Sequence, residues 1–302
     1  MPERKPPTED APKTPEPTAT AAEAAAKQAA FVKNTLARLA TAVVLIPVLL
    51  YLMFWAPWWG FQVVVSLAIA RAAHELMRIT VSGAPRLLHL WGVLATVGVT
   101  QAMVYAPSAD VMTATLVVVV AVGTIVGLLA PVPHEAAGTR TAWLIAGPLY
   151  VGVLFGTIAK LHTLEHGGAW VLLAMWLAWA SDTGAYFAGR YFGKTKLYPA
   201  VSPSKTVQGS IGGLLGSLTG GLAAHFWFLD ALPLIDAIVL ALVGGALGQI
   251  GDLVESLIKR STKVKDSGHL LPGHGGLLDR VDALMFTGAA CLIYATWILP
   301  LR

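Results

Sequence analysis

The feature that most limits what this chain can become is a succession of apolar segments, each about 20 residues long. A helix needs about 20 residues to cross about 30 Å of hydrocarbon. In lipid every backbone N–H and C=O must be paired internally, so only helices and closed barrels span the bilayer. Segments at roughly 36–56, 58–79, 87–106, 110–131, 142–160, 169–191, 207–229, 234–258 and 281–300 have the required length. The expected fold class is therefore all-α: a polytopic membrane protein of about nine transmembrane helices. The 58–79 segment is the most polar of them, because it carries Arg71, His74 and Glu75. Composition agrees: 56% of residues are hydrophobic and 13% charged, against about 25% charged in soluble domains. Mean hydropathy is +0.66.

Residues 1–30 differ in kind. They are rich in Pro, Ala, Thr, Glu and Lys and hold too little apolar surface to offset the entropy of ordering. A disordered or partly helical tail is expected there. The apolar run begins too late, near residue 36, for a secretory signal peptide, and lacks a convincing cleavage site. The first span is therefore expected to stay in the protein. Three regions follow: a polar tail (1–30), N-terminal transmembrane helices (31–165) and a C-terminal catalytic transmembrane region (166–302). Cys291 lies in an apolar run and reads as packing, with no intramolecular disulfide available.

Charge sets the orientation. With the N-terminus in the cytoplasm, 18 of the 21 Lys and Arg residues fall on cytoplasmic segments, and two, Lys160 and Arg302, fall opposite. Arg71 sits inside a span. The loops 192–206 and 259–280 then share the cytoplasmic side. The chain is expected in the inner (cytoplasmic) membrane, with its active site facing the cytoplasm. Arg71 and Glu75, one helical turn apart, can pair inside the bilayer, either as a functional site or as an internal pair holding helices together. His162, Glu165 and His166 imitate metal-ligand spacing but read as a solvated loop on the far side.

The chemistry gathers near the end of the eighth span. Asp252, Glu255, Ser256, Lys259 and Arg260 follow i, i+3, i+4, i+7, i+8, which places all five on one helical face. Unpaired charges inside a membrane are costly, so the stripe calls for a polar cavity or a bound cation. Beyond it lie Lys263, Lys265 and Asp266, then Pro272, Gly273, His274, Gly275 and Gly276. Pro and closely spaced glycines forbid regular helix and free backbone amides to face a ligand. Asp279, Arg280 and Asp282 lead into the ninth span. Carboxylates interleaved with cations beside a glycine-rich bend suit a Mg²⁺–triphosphate complex.

The stretch from Ser256 through Lys259-Arg260, Lys265-Asp266 and Leu271-Pro272-Gly273-His274-Gly275-Gly276 to Asp279-Arg280-Val281-Asp282 resembles the signature of phosphatidate cytidylyltransferases. The likeness runs through all 27 positions. Ser181-Asp182-Thr183-Gly184, Gly189-Arg190, Phe192-Gly193-Lys194 and Ser202-Pro203-Ser204-Lys205-Thr206 are similar to the same family. The resemblance implies transfer of a cytidylyl group from CTP to phosphatidic acid, giving CDP-diacylglycerol and pyrophosphate, with a divalent cation, Mg²⁺ by preference. It implies Asp252 and Asp279 as metal ligands, with Asp266 and Asp282 next. Lys259, Arg260, Lys265 and Arg280 are assigned to phosphates, Ser202, Lys205 and Thr206 to the phosphate of either substrate, and His274 to the site. Asp182, with Tyr186 and Arg190 at i+4 and i+8, reads as a site residue or as a partner of Arg190. A homodimer is implied, and no nucleic-acid partner.

The glycines at 209, 212, 213, 216 and 220, and at 244, 248 and 251, read as close helix packing, whereas Gly273, Gly275 and Gly276, outside any span, read as functional. A transporter would place its charges near the midplane in repeated halves; here they cluster at one side of the C-terminal half. An enzyme moving CDP-alcohol groups would carry an aspartate-glycine and alanine-arginine pattern that is absent, and a structural scaffold would not need the charged stripe.

Overall fold

The computed structural model describes residues 43, 45–129, 133–268 and 275–301. Residues 49–302 form one compact unit, and the described residues before it are helical. In chain order the helices are α1 (Leu45–Phe54), α2 (Trp58–Thr80), α3 (Arg86–Tyr105), α4 (Ala109–Leu128), α5 (Ala137–Leu154), α6 (Gly156–His162) and α7 (Gly167–Phe192). A hairpin follows, β1 (Lys196–Tyr198) and β2 (Ser202–Thr206), then α8 (Val207–Ala223), α9 (Leu234–Ser261) and α10 (Leu278–Ile293).

Each helix falls on one of the expected apolar segments. Among the described residues five stretches are long and apolar enough to cross a membrane: Arg86–Tyr105, Ala109–Leu128, His134–His162, Leu234–Ser261 and Leu278–Ile298. The protein is thus an all-α integral membrane protein. The tail 1–30 lies outside the described residues. The surface is apolar where a soluble protein would be charged: Val63, Val64 and Leu67 of α2, Val117, Val118 and Val120 of α4, and Val239 and Val243 of α9 all point outward. Such continuous apolar exposure is stable only against lipid.

Polar side chains inside the bundle bridge helices. Gln62 donates to the Ala159 carbonyl at 2.9 Å, Thr100 to Gly152 at 2.9 Å and Thr287 to Ala174 at 2.8 Å. Each such bond contributes about 0.6–2 kcal/mol in a membrane. Cys291 is free and fully buried, in keeping with packing.

The most extensive helix pair is α7 with α8, and α9 packs on both α8 and α10. Glycine is what permits it. A Cβ on Gly216 would strike the Ala180 carbonyl, and one on Gly212 would strike Ala188. Gly251 of α9 likewise lies against Phe286 and the Asp282 carbonyl of α10. These contacts bring Asp182, Asp252 and Asp282, one from each of three helices, towards one place.

Two details depart from expectation. The segment 192–206, expected as a plain loop, holds the antiparallel hairpin, with Lys196 opposite Thr206 and Tyr198 opposite Ser202. Pro203, which has no N–H to give, is tolerated because the two-stranded ribbon leaves edges unpaired. The 162–166 stretch is only partly solvated. His162 ends α6, stacks on Phe61 with ring centroids 4.1 Å apart and lies 3.3 Å from the Met53 carbonyl. Glu165 and His166 are exposed.

Candidate active site

Four elements converge at one end of the C-terminal region. The hairpin is fastened first: the Gln208 side chain accepts from the backbone N–H groups of Lys194 (3.0 Å) and Thr195 (3.2 Å). Thr206 then caps α8, its Oγ1 accepting from Gly209 N at 3.1 Å. An N-terminal cap of this kind is worth about 1 kcal/mol. So the Thr206 hydroxyl, assigned to a phosphate on sequence grounds, is engaged in starting a helix.

That start fixes Lys205 beside Asp252. Lys205 Nζ lies 2.6 Å from Asp252 Oδ2, while Ser256 Oγ donates to Asp252 Oδ1 at 3.3 Å. The pair borders a cleft of about 450 Å³, into which Asp182, Tyr186 and Arg190 reach from α7 and Ser204, Lys205 and Thr206 from the hairpin. Gln249, one turn before Asp252, is fixed at the floor by hydrogen bonds with Ser210 and Ser181. Arg190 donates to the Tyr186 hydroxyl at 3.1 Å. Asp182 instead feels Asp252, Lys205 and Arg280 as its charged neighbours. Asp282 in turn faces Asp252, Asp182 and Lys259. Three carboxylates thus share one region with the cations Lys205 and Arg280 at hand.

A second, more enclosed cluster lies behind it. Lys259 pairs with both Glu255, one turn earlier, and Asp279 at the head of α10, the latter at 2.7 Å. Glu255 is fully buried. The other oxygen of Asp279 accepts from Ser267 N (3.0 Å), Ser267 Oγ (2.9 Å) and Gly276 N (2.8 Å). Asp279 therefore clasps the two ends of the glycine-rich segment. Gly275 sits at φ +78°, a conformation that glycine adopts without a Cβ clash.

The predicted residues accordingly separate into groups. Asp182, Lys205, Thr206 and Asp252 line the cleft, and Arg280 and Asp282 act on it electrostatically. Lys259 and Asp279 belong to the enclosed cluster. Arg260 reaches back to the Val201 carbonyl at 3.4 Å, tying the end of α9 to the hairpin. Ser202 begins β2 and is not among the residues lining the cleft, whereas Ser204 and Ser210 are. Lys265 and Asp266 are exposed past the end of α9. His274 and Gly273 lie outside the described residues.

Glu75 is the participant that sequence reasoning left undecided. It pairs with Arg71 at 2.9 Å, and its other oxygen accepts from Leu278 N at 2.8 Å and Ser267 Oγ at 3.3 Å. A carboxylate from the N-terminal half thus holds the first turn of α10. Its presence inside an apolar span was the available signal.

Among the described residues no three His, Cys, Asp or Glu side chains are already grouped as a metal site. The donor chemistry nonetheless fits a hard divalent cation. Asp252 is part-exposed at the cleft with Asp182 and Asp282 near it, whereas Asp279 is enclosed, with 8% of its side chain exposed.

A membrane bundle whose polar site stands on α7, the hairpin, α9 and α10 defines a class: residues 36–298 match the Cytidylyltransferase family, and the chain belongs to it. Several relatives that the chain resembles carry the same name. A phosphatidate cytidylyltransferase of Bacillus subtilis (strain 168) is 40% identical over 150 residues, which is 49% of this chain and 55% of the relative. Phosphatidate cytidylyltransferases of Staphylococcus saprophyticus and Staphylococcus haemolyticus are each 43% identical over 145 residues, 48% of this chain and 55% of theirs. The aligned stretch thus spans about half the length of these relatives.

Proposed function

We propose that this chain transfers a cytidylyl group from CTP to phosphatidic acid, forming CDP-diacylglycerol and pyrophosphate for phospholipid synthesis. The observation that carries the reading is the Lys205–Asp252 pair at 2.6 Å on the cleft, with Asp182 beside it, in a chain of this family. A phosphate oxygen of phosphatidate attacks the α-phosphorus of CTP. A P–O bond forms there as the α–β P–O bond breaks, and pyrophosphate carries the electron pair away. A phosphomonoester is already largely ionised near neutral pH, its second pKa being about 6. No strong general base is needed, and positioning with charge neutralisation does most of the catalysis.

The residues divide that work. Lys205, Arg190 and Arg280 neutralise phosphate oxygens at the cleft. Asp252 would hold a divalent cation, with Asp182 and Asp282 as neighbouring carboxylates. When bound, such a cation supplies Lewis-acid stabilisation of charge on the transferring phosphoryl group. Asp279 and Glu75 hold Ser267, Gly276 and the first turn of α10, and Lys259 ties Asp279 to α9. Arg260 holds the hairpin in register.

Depth supports the same reading. Phosphatidate leaves the bilayer only at about 0.8 kcal/mol per acyl CH₂, and CTP cannot shed its hydration in hydrocarbon. The two must meet at headgroup level. With 28 residues and a rise of 1.5 Å each, α9 is about 42 Å long, so its charged end extends past a hydrocarbon core of about 30 Å. We place nine spans in the inner membrane, with the tail 1–30, an N-terminal bundle 31–165 and a catalytic region 166–302. The cleft opens to the cytoplasm and the protein is a homodimer. Labelled CTP with phosphatidate and purified protein should give chloroform-extractable label that EDTA abolishes. Label remaining wholly in the aqueous phase would refute the activity.

A further inference from the structure

A second cavity, of about 870 Å³, lies where α2 ends and α3 begins. Arg71, His74 and Arg78 line it from α2, and Arg86 and His89 line it from α3. On α2 these positions follow i, i+3, i+7, and on α3 i, i+3, so each helix presents one basic stripe. Among the described residues lining it there is no carboxylate. Among the described residues Arg71 pairs with Glu75 alone, and its buried Nε has no hydrogen-bond acceptor there. A buried donor left without an acceptor costs about 1–3 kcal/mol, more when charged. Among the described residues Arg78 and Arg86 form no ion pair. With Arg71 paired to Glu75, Arg78 and Arg86 leave two guanidinium charges at the cavity with no described ion-pair partner.

We propose that this cavity is an anion site for a phosphate group, either inorganic phosphate or the phosphomonoester head of a lipid, separate from the Lys205–Asp252 cleft. Such a group carries nearly two negative charges near neutral pH and several acceptor oxygens. Guanidinium forks match those oxygens in pairs. Glu75 links a lining residue of the cavity to the start of α10: it binds Arg71 on one side and Leu278 N and Ser267 on the other.

The test uses the full chain in phosphatidylcholine nanodiscs without CTP, so it is read independently of any transferase activity. Inorganic phosphate is titrated in one arm. Phosphatidate is placed in the disc in a second, with uncharged diacylglycerol in a third. Bound lipid is counted by native mass spectrometry, and phosphate affinity comes from thermal shift. Arg78→Gln/Arg86→Gln, at two exposed positions, should lose one bound phosphatidate per chain or weaken inorganic phosphate at least about tenfold, the equivalent of about 1.4 kcal/mol. Loss in the phosphate arm identifies a free anion as ligand, and loss in the lipid arm alone identifies a headgroup. A variant outside both sites, Lys160→Ala, whose amine donates to the Val104 carbonyl, should retain this binding. Equal binding by wild type and the double variant in both arms would overturn the proposal, as would diacylglycerol binding as well as phosphatidate. Arg86→Gln alone, with its unliganded melting temperature as reference, provides the reading should the double variant fold poorly.

Discussion

Lys259 illustrates how differently two neighbouring cations serve this site. It lies between Glu255 and Asp279, with 12% of its side chain exposed, whereas Lys205 beside Asp252 keeps 24%. Removing one member of a buried pair leaves an uncompensated charge and costs about 3–5 kcal/mol. Lys259→Met should therefore lower the melting temperature clearly in a tryptophan-fluorescence scan. Lys205→Ala should leave it nearly unchanged while turnover falls; equal melting losses in the two variants would contradict this division. Asp252→Asn, which keeps shape and removes charge, should reduce turnover at least about 100-fold, since one metal or transition-state contact is worth several kcal/mol. Near-normal turnover would place the cation elsewhere. The stripe Asp252–Arg260 was legible in sequence as one helical face. Helical spacing gives the width of a face, but not which neighbour meets each edge. It could not show that Asp252 turns to Lys205 while Lys259 turns to Asp279. Glu75 was harder still, because its partners Ser267 and Leu278 lie 192 and 203 residues away.

At the scale of elements, the apolar segments announced nearly every described helix, because backbone pairing in lipid leaves few alternatives. The hairpin at 196–206 escaped notice, since strands of three and five residues are too short for a period-two pattern. The glycine spacings were readable as packing, and their partners are now visible. On α8, Gly216 meets the Ala180 carbonyl of α7, where a side chain has no room. Gly216→Leu should part the two helices and displace Asp182 from Asp252. We expect a broadened or aggregated peak in size-exclusion chromatography, with activity lost in parallel. Leu215→Ala, on the outward face of the same helix, should elute as wild type. A monodisperse, active Gly216→Leu protein would show that the α7–α8 contact is not required.

For the whole molecule, the distribution of Lys and Arg predicts one orientation. Single cysteines at Lys196 and Lys263 should be labelled from the cytoplasmic face by a membrane-impermeant maleimide, and one at Lys160 from the other. Labelling of Lys196 or Lys263 from outside would reverse the assignment. The proposed function carries one central requirement, that a soluble triphosphate and a membrane lipid react in one cleft framed by α7, the hairpin, α9 and α10. The most direct measurement is pyrophosphate released from CTP by purified protein in nanodiscs, compared between wild type and Asp252→Asn. Release should require phosphatidate in the disc, match CDP-diacylglycerol mole for mole, and fall at least about 100-fold in the variant. Release that proceeds equally without phosphatidate, or equally in Asp252→Asn, would contradict the account.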